Sequence, residues 1–361
     1  MEEFLKQIMT NFKPYHINKG MTYEDSVLLL AVAAYHKVTG DSHYLDFIRD
    51  YVDLHVDSEG YIQNYHLEEY NIDNILAGNV LYLLMDHTED PRYEKAVRLL
   101  REQLRTHPRT RSGSFWHKLR YPYQIWLDGL YMGQPFYLNF GLRTNDTDIV
   151  SDVLRQVDNV RRYLWDPKRQ LYCHAYDEKK VMQWANKETG LSPNVWSRSV
   201  GWFAMALVEL YELLPSLLTK ERNKLSGLLV ELIEGMKPYQ DPNSQMWYQI
   251  VDKPKLERNY LETSGSAMLA YSMLKGARLG MLDPTYRVAG ELALSGIENT
   301  VLRLVDRHYV LGGTCKVAGL DNDLRDGSDE YYLSEPIVDN EIKGVGPFLF
   351  AQAEIKSLQS K

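Results

Sequence analysis

Cysteine, positive charge and long apolar runs are scarce in this chain of 361 residues. Its two cysteines, Cys173 and Cys315, are too few for a disulfide framework or a thiolate zinc site. Lys and Arg number 41 against 49 Asp and Glu, and the net charge of −8 argues against non-specific binding of nucleic acid. No window reaches the roughly 18 to 20 continuous apolar residues of a membrane span, and acidic Glu2 and Glu3 do not fit a secretory signal. We therefore expect a soluble, cytoplasmic protein.

The common signatures of several enzyme classes are also missing. There is no Walker-type glycine loop, no GxGxxG after a strand, and no HExxH or paired-histidine spacing. Ser264–Gly265–Ser266 does not form a GxSxG nucleophile elbow. Carboxylate, histidine and arginine chemistry remains, in a chain with 26 Tyr against 9 Phe. Tyrosine combines an apolar face with a hydroxyl, which suits a polar, stackable ligand such as a sugar.

Apolar and amphipathic helical segments alternate along the chain. The couplets are 22–38 with 41–56, 72–86 with 91–106, 122–141 with 147–164, 199–214 with 220–236, and 262–280 with 285–302. A last apolar segment, 344–358, and a first amphipathic segment, 2–12, make a sixth couplet. This pattern predicts an all-α toroid with a buried inner ring and a half-buried outer ring. An open helical array would need polar capping repeats at both ends, so the complementary ends favour closure. Since no linker or low-complexity tract interrupts the chain, we expect a single domain, 1–361.

Short aromatic and β-branched runs precede the apolar helices and indicate strands or hairpin arms. They are 61–66, 114–119, 171–176, 246–251 and, more faintly, 312–320. In a closed toroid these loops and the starts of the inner helices would share one face, where residues distant in sequence converge. The alternative is a set of unrelated connectors.

Asp128 is the strongest candidate for chemistry, because it lies inside a predicted aromatic helix within Gly113–Gly141. A carboxyl group desolvated among aromatic side chains keeps its proton to higher pH and suits a general acid. The alternative is a buried aspartate satisfied by helix-terminal amides. His117, Lys118 and Arg120 stand just upstream, and this basic cluster indicates either an anionic substrate group or a solvated loop.

Other candidates precede apolar helices. Asp73 is either a second carboxylate or a first-turn residue favoured by the helix dipole. His174, in an aromatic run, is either structural or catalytic. Arg198 near a helix start opposes the dipole and needs an anionic partner. Trp196 and Trp202 are candidates for sugar stacking, although Trp202 also fits the core, and Glu262, Thr263 and Ser264 fit ordinary N-terminal capping.

Three stretches carry a resemblance to a known family. FWHKLRYPYQIWLDGLYMGQPF resembles the signature of glycoside hydrolase family 105, the unsaturated rhamnogalacturonyl hydrolases, and NVWSRSVGWFAMALVELYELLP and YLETSGSAMLAYSMLKGARLG resemble two further blocks of it. The resemblance runs from about Thr22 to the last helix. It implies an (α/α)6 barrel with short β-hairpins in the loops at one face. It also implies a small unsaturated oligosaccharide as the substrate, and hydration of the C4=C5 bond of its terminal uronic acid.

The resemblance also assigns roles by position. Asp128 would protonate C4 and then help to activate water, and Asp73 would orient water or sugar hydroxyls. Either Arg198 or His174 would contact the uronate carboxylate. The resemblance implies no metal and no cofactor. The substrate-binding set implied by the matching blocks is His117, Lys118, His174, Trp196, Arg198 and Trp202, to which Tyr131 is added as a ring-lining tyrosine. At position 197 this chain has Ser where many members have Gly, which affects the geometry of that loop.

Competing functions remain open at this point. An unsaturated glucuronyl hydrolase acting on glycosaminoglycan or ulvan fragments would share the fold and the hydration step. A sugar 2-epimerase on the same barrel would need two histidines across the ring, for which only His117 and His174 are candidates. A non-catalytic sugar-binding protein would explain the aromatic residues but not Asp128 in so specific a block.

Overall fold

The computed structural model describes residues 1–14 and 20–359; residues 15–19 and 360–361 of the predicted domain lie outside the described ranges. The helices are α1 Glu2–Asn11, α2 Tyr23–Thr39, α3 Ser42–His55, α4 Ala77–His87, α5 Pro91–Thr106, α6 Asp128–Thr144, α7 Thr147–Tyr163, α8 Ser197–Leu213, α9 Thr219–Met236, α10 Thr263–Arg278, α11 Thr285–Thr300, α12 Asp329–Ser334 and α13 Ile342–Gln359. No helix in these ranges is long and apolar enough to cross a membrane.

Six helices, α2, α4, α6, α8, α10 and α13, form a closed inner ring. Each packs against the next, and α13 packs against α2. Every residue of α8 from Ser197 to Val208 is buried, as is every residue of α10 from Thr263 to Gly276. The outer helices bury one face only; α7, for example, turns Ile149, Val153 and Val157 inward. The predicted toroid of two helical rings is confirmed.

The chain ends close the outer ring. Phe4 of α1 packs edge-on against Phe348 of α13, with ring centroids 5.9 Å apart. Lys356 of α13 forms an ion pair with Glu2 of α1. The sixth couplet, formed from the two ends of the chain, is therefore real, and the open helical array is excluded.

Two inner segments begin differently from the prediction. The segment 72–86 starts with a 3-10 turn, Ile72–Leu76, before α4. The segment 122–141 starts with a strand, β1 Gln124–Trp126, which pairs with β4 Ala175–Asp177. Helix α6 therefore begins at Asp128, which is its first residue and not an interior one. Pairing with a strand some fifty residues away outweighs the helical pattern of residues 122–127.

The short strands pair antiparallel in the loops. They are β1 Gln124–Trp126, β2 Trp165–Asp166, β3 Leu171–Tyr172, β4 Ala175–Asp177, β5 Leu302–Val305, β6 His308–Leu311, β7 Thr314–Cys315 and β8 Ile337–Val338, paired β1–β4, β2–β3, β5–β6 and β7–β8. The predicted run 171–176 yields β3 and the start of β4, and 312–320 yields β7. The runs 61–66, 114–119 and 246–251 make isolated bridges instead. The β5–β6 hairpin is absent from the sequence prediction.

Backbone hydrogen bonds tie these runs to the starts of the inner helices. The carbonyl of His117 accepts from the amide of Ile72 at 3.1 Å, and the carbonyl of His174 accepts from Leu127 at 3.1 Å. The carbonyl of Gln249 accepts from the amide of Ser197 at 3.1 Å. The loops and the inner-helix N-termini therefore share one face of the toroid, as predicted.

Candidate active site

A cavity of about 1070 Å³ opens at this face. Loops and the starts of several inner helices supply its wall, which gathers residues more than 100 positions apart. The predicted residues that line it are Asp73, His117, Lys118, Asp128, Trp196, Arg198 and Trp202. Tyr23, Glu24, Tyr121, Trp126 and Arg325 also line it. The cavity is at the upper end of the roughly 300–1,000 Å³ typical of small-molecule sites.

Asp73 sits in the 3-10 turn before α4 and is an ionised carboxylate. The cap of that turn comes from the Asn71 side chain, which accepts from the Asp73 amide at 3.1 Å, so the carboxylate of Asp73 is left for other contacts. Lys118 Nζ lies 2.5 Å from Asp73 Oδ2, and His117 Nε2 lies 3.7 Å from Oδ1. Burial acts most strongly and would raise the pKa of Asp73, but the basic neighbours, led by the charge and hydrogen bond of Lys118, together outweigh it and hold that pKa below its usual range. Asp73 is therefore a second carboxylate of the cavity.

His117 is a neutral ring between the two acids. It stacks on Trp126 with centroids 4.4 Å apart and planes 10° apart. Burial lowers the pKa of His117 to about 4, against the opposing charges of Asp73 and Asp128. Within the predicted basic cluster, His117 is therefore neutral at neutral pH, and Lys118 is paired with Asp73. Of that cluster, Arg120 stays exposed at the cavity wall.

Asp128 faces a histidine and not a strong cation. Its Oδ2 lies 3.4 Å from His174 Nε2, and within the described ranges no lysine or arginine pairs with it. His174 is fully buried behind the wall, and its Nδ1 lies 2.6 Å from the Tyr332 hydroxyl. Because Asp128 is the first residue of α6, its carboxyl group points from the helix start into the cavity.

Arg198 has the anionic partner that its position requires. It is 2 % exposed, with Nη2 3.5 Å from Glu262 Oε1 and Nε donating to Ser264 Oγ at 2.6 Å. A further bond goes to the carbonyl of Cys315. Glu262 also caps α10 by accepting from the Gly265 amide at 2.7 Å. The capping interpretation of Glu262 is confirmed, and the same carboxylate neutralises Arg198.

The predicted aromatic residues divide between wall and core. Trp196 and Trp202 line the cavity. Tyr131 stacks beneath Trp202, with centroids 4.9 Å apart, and is 2 % exposed. Tyr131 is not among the residues that line the cavity and supports Trp202, which is itself 1 % exposed and belongs to both wall and core. Every face of α6 is apolar, so its sequence does not distinguish the cavity side from the side that meets α8.

Sequence reasoning missed Tyr332 and Arg325. Tyr332 lies on the short helix α12 and meets His174 across 158 positions of sequence. Arg325 lies in a loop and reaches the cavity wall beside Gly319. Neither has a local pattern that signals a site. Among residues 1–14 and 20–359, no three His, Cys, Asp or Glu side chains are grouped so as to hold a metal ion.

Comparison with known sequences identifies relatives along the whole chain. The sequence model of Glycosyl Hydrolase Family 88 matches residues 1–359. The unsaturated rhamnogalacturonyl hydrolase YesR of Bacillus subtilis is 26% identical over 277 residues, which cover 74% of this chain and 74% of that protein.

Comparison with solved structures agrees. A glycoside hydrolase from family 105 of C. acetobutylicum superposes with a TM-score of 0.93 at 41% identity, covering 98% of each chain. The unsaturated glucuronyl hydrolase of Bacillus sp. GL1 superposes with a TM-score of 0.64 at 15% identity, covering 96% of this chain and 88% of that one. At 15% identity, the similarity to the glucuronyl hydrolase shows a shared fold only.

Proposed function

This chain belongs to glycosyl hydrolase family 88, and we propose that it removes 4,5-unsaturated galacturonic acid from the non-reducing end of rhamnogalacturonan oligosaccharides left by polysaccharide lyases. One observation carries the proposal: two carboxyl groups face one cavity in opposite electrostatic settings. Lys118 holds Asp73 as an anion, whereas Asp128 faces only His174. Carboxyl groups whose environments differ in this way take different roles in acid–base chemistry. The name of the Bacillus subtilis relative supports galacturonate as the sugar.

In the proposed reaction Asp128 is the acid. It donates its proton to C4 of the C4=C5 bond, and the ring oxygen stabilises the positive charge that develops at C5. Water adds its oxygen to C5 and returns a proton to the carboxylate of Asp128. The hemiketal so formed opens to a ketone at C5, which leaves a hemiacetal at C1, and this hemiacetal breaks down to an aldehyde and releases the aglycone as an alcohol. One water is consumed and no electron is transferred.

Asp73 and His117 bind and orient the substrate or water and do not donate the proton that reaches C4. Ionised Asp73 accepts hydrogen bonds, so it suits the orientation of the attacking water or of sugar hydroxyls. Neutral His117, 3.7 Å from Asp73, can donate or accept in the same region. Trp196 and Trp202 line the cavity, each at most 2 % exposed, and give its wall an aromatic character that suits sugar rings.

The carboxylate of the unsaturated sugar needs a cation near Asp128. Arg198 is committed to Glu262, Ser264 and a carbonyl, and His174 is closed off behind the wall. Lys118 is the better candidate for this contact, since its amino group lies in the cavity wall and, although paired with Asp73, has three donors and can serve a second carboxylate. We further propose a cytoplasmic location, where the buried free thiols of Cys173 and Cys315 stay reduced.

The test is the loss of ultraviolet absorbance as the conjugated enol acid of a lyase product is consumed. We expect decay on rhamnogalacturonan-lyase products. Decay only on glucuronate-derived products would replace the proposal by the glucuronyl alternative. No decay on any lyase product, with formation of a sugar epimer, would point to the epimerase.

A further inference from the structure

Two arginines stand at the cavity wall away from its buried acids. Asp73 and Asp128 are 7 % and 9 % exposed, whereas Arg120 is exposed and Arg325 is half-buried. Both arginines line the cavity. Burial therefore decreases from the carboxyl groups toward the arginines, which places the arginines nearer the opening.

An aromatic wall connects these two arginines. The Arg120 guanidinium lies 4.9 Å from the centre of the Tyr121 ring, and that ring stacks on Trp126 at 4.9 Å. On the far side, Arg325 Nη1 and Trp126 Cη2 lie 2.8 and 3.6 Å from the point where a Cβ on Gly319 would stand. Arg120, Tyr121, Trp126 and Arg325 thus form one continuous strip, with a cation at each end and stacked rings between.

Neither arginine of the strip is held in a close ion pair. In the part of the chain that the structure describes, neither guanidinium forms an ion pair with a carboxylate, although Arg120 and Arg325 act at longer range on Asp73 and Asp321. Lys118 and Arg198, the other cations of the wall, are paired with Asp73 and Glu262. An aromatic wall flanked by two guanidinium groups without close ion pairs is complementary to a sugar chain that carries an anion.

We propose that this strip binds an anionic group on the aglycone, so that the preferred substrate is an acidic oligosaccharide longer than a disaccharide. This inference rests on the proposed function. The carboxylate of the first sugar is only two bonds from C4 and must lie at the floor beside Asp128. In rhamnogalacturonan, uronate and rhamnose alternate, so the next carboxylate is two rings farther out, toward the opening. The cavity of about 1070 Å³ has room for this extension.

The experiment compares the unsaturated disaccharide and tetrasaccharide from one rhamnogalacturonan-lyase digest. The variant is R120Q/R325Q. The control, R98Q/R287Q, removes the same charge from the outer helices α5 and α11, where these arginines pair with Glu94 and Glu291. The readout is the ratio of kcat/KM for the tetrasaccharide to kcat/KM for the disaccharide. If the wild type consumes only glucuronate-derived products, the di- and tetrasaccharide of that digest are compared instead.

We expect the ratio to fall about 3- to 10-fold in R120Q/R325Q, the effect of two partly exposed ion pairs, mainly through KM of the tetrasaccharide. The control should keep the wild-type ratio. Added salt should lower the wild-type ratio and leave that of R120Q/R325Q nearly constant, because exposed charges are screened. An unchanged ratio in R120Q/R325Q, or equal losses on both substrates, would overturn the inference. Absorbance loss by the wild type on the disaccharide tests the proposed function separately.

Discussion

Asp128 and Asp73 are both aspartates of one cavity, but the side chains beside them differ in charge. A lysine 2.5 Å away fixes Asp73 as an anion. Asp128 has a histidine 3.4 Å away, and that histidine is itself held by Tyr332. A group that must hold a proton and then release it to carbon fits the second environment better than the first.

Replacing Asp128 with Asn tests this assignment. The amide has nearly the same shape but cannot donate a proton to C4. We expect turnover on an unsaturated disaccharide to fall by about 10²- to 10⁴-fold, the usual contribution of a positioned acid, with an unchanged thermal melting curve. A rate near that of the wild type would show that another residue is the acid.

Tyr332 is expected to act through His174 as a positioning residue. Its hydroxyl lies 2.6 Å from His174 Nδ1 and is fully buried with it, so this contact fixes the orientation of the ring. The opposite ring nitrogen, Nε2, then lies 3.4 Å from Asp128 Oδ2 without forming a hydrogen bond to it. We expect this placement of a polar ring edge beside Asp128 to favour the step in which Asp128 protonates C4.

Tyr332→Phe should therefore change more than packing. We expect turnover to fall roughly 5-fold, since a hydrogen bond is worth about 1 kcal/mol. The loss should fall on kcat and not on KM, because His174 lies beside Asp128 and does not line the cavity. A lower melting temperature with kcat unchanged would indicate that Tyr332 is merely structural.

Helices α4 and α6 approach closely where Gly78 faces Phe136. A Cβ on Gly78 would stand 2.2 Å from Phe136 Cδ2. The Phe136 ring is fully buried and stacks on Tyr82 at 5.2 Å, so it has no free space to move into. On α9, by contrast, a Cβ on Gly227 would meet nothing within 4 Å.

Gly78→Ala and Gly227→Ala should change stability in opposite directions. Overpacking costs about 1–3 kcal/mol, so Gly78→Ala should lower the free energy of unfolding. Gly227→Ala should raise it by roughly 0.5–1 kcal/mol, since alanine is the better helix residue. Urea unfolding measures both. Stabilisation by Gly78→Ala would mean that the inner ring is looser at this crossing than the structure indicates.

The whole molecule contains buried histidines that resist protonation. Burial lowers the pKa of His107 and of His117 to about 4 each. In the unfolded chain both would titrate near 6.5. Between pH 6.5 and 4 the unfolded chain therefore binds more protons than the folded protein, and stability falls as the pH decreases.

The free energy of unfolding should thus decrease from pH 7 to pH 5, by about 2 kcal/mol for each of these histidines at 1.4 kcal/mol per pKa unit. His107 bonds to the carbonyl of Trp116 at 2.8 Å and lies outside the cavity wall, so His107→Gln is the informative variant. Urea unfolding at the two pH values should show a smaller decrease in His107→Gln. An identical decrease in both proteins would contradict the lowered pKa of His107.

Much of the architecture was predictable from local pattern. The inner segments are apolar on all faces and the outer ones on one face, and this periodicity is visible within any window of about 15 residues. The complementary segments 2–12 and 344–358 predicted closure, and Phe4 against Phe348 confirms it. The boundary at Asp128 was wrong because β1 pairs with β4, a contact that a local window does not contain.

The amino-acid sequence was sufficient for the two helical rings, their closure and the set of acids and aromatic residues near one face, because these depend on side-chain chemistry at short spacing. Tertiary structure alone decided which group each side chain meets. It pairs Arg198 with Glu262, sets Tyr131 beneath Trp202, and brings Tyr332 to His174. The charge state of each side chain and its exposure to the cavity depend on such contacts between distant segments. A helix that is apolar on all faces has no sequence pattern that identifies the face toward the cavity.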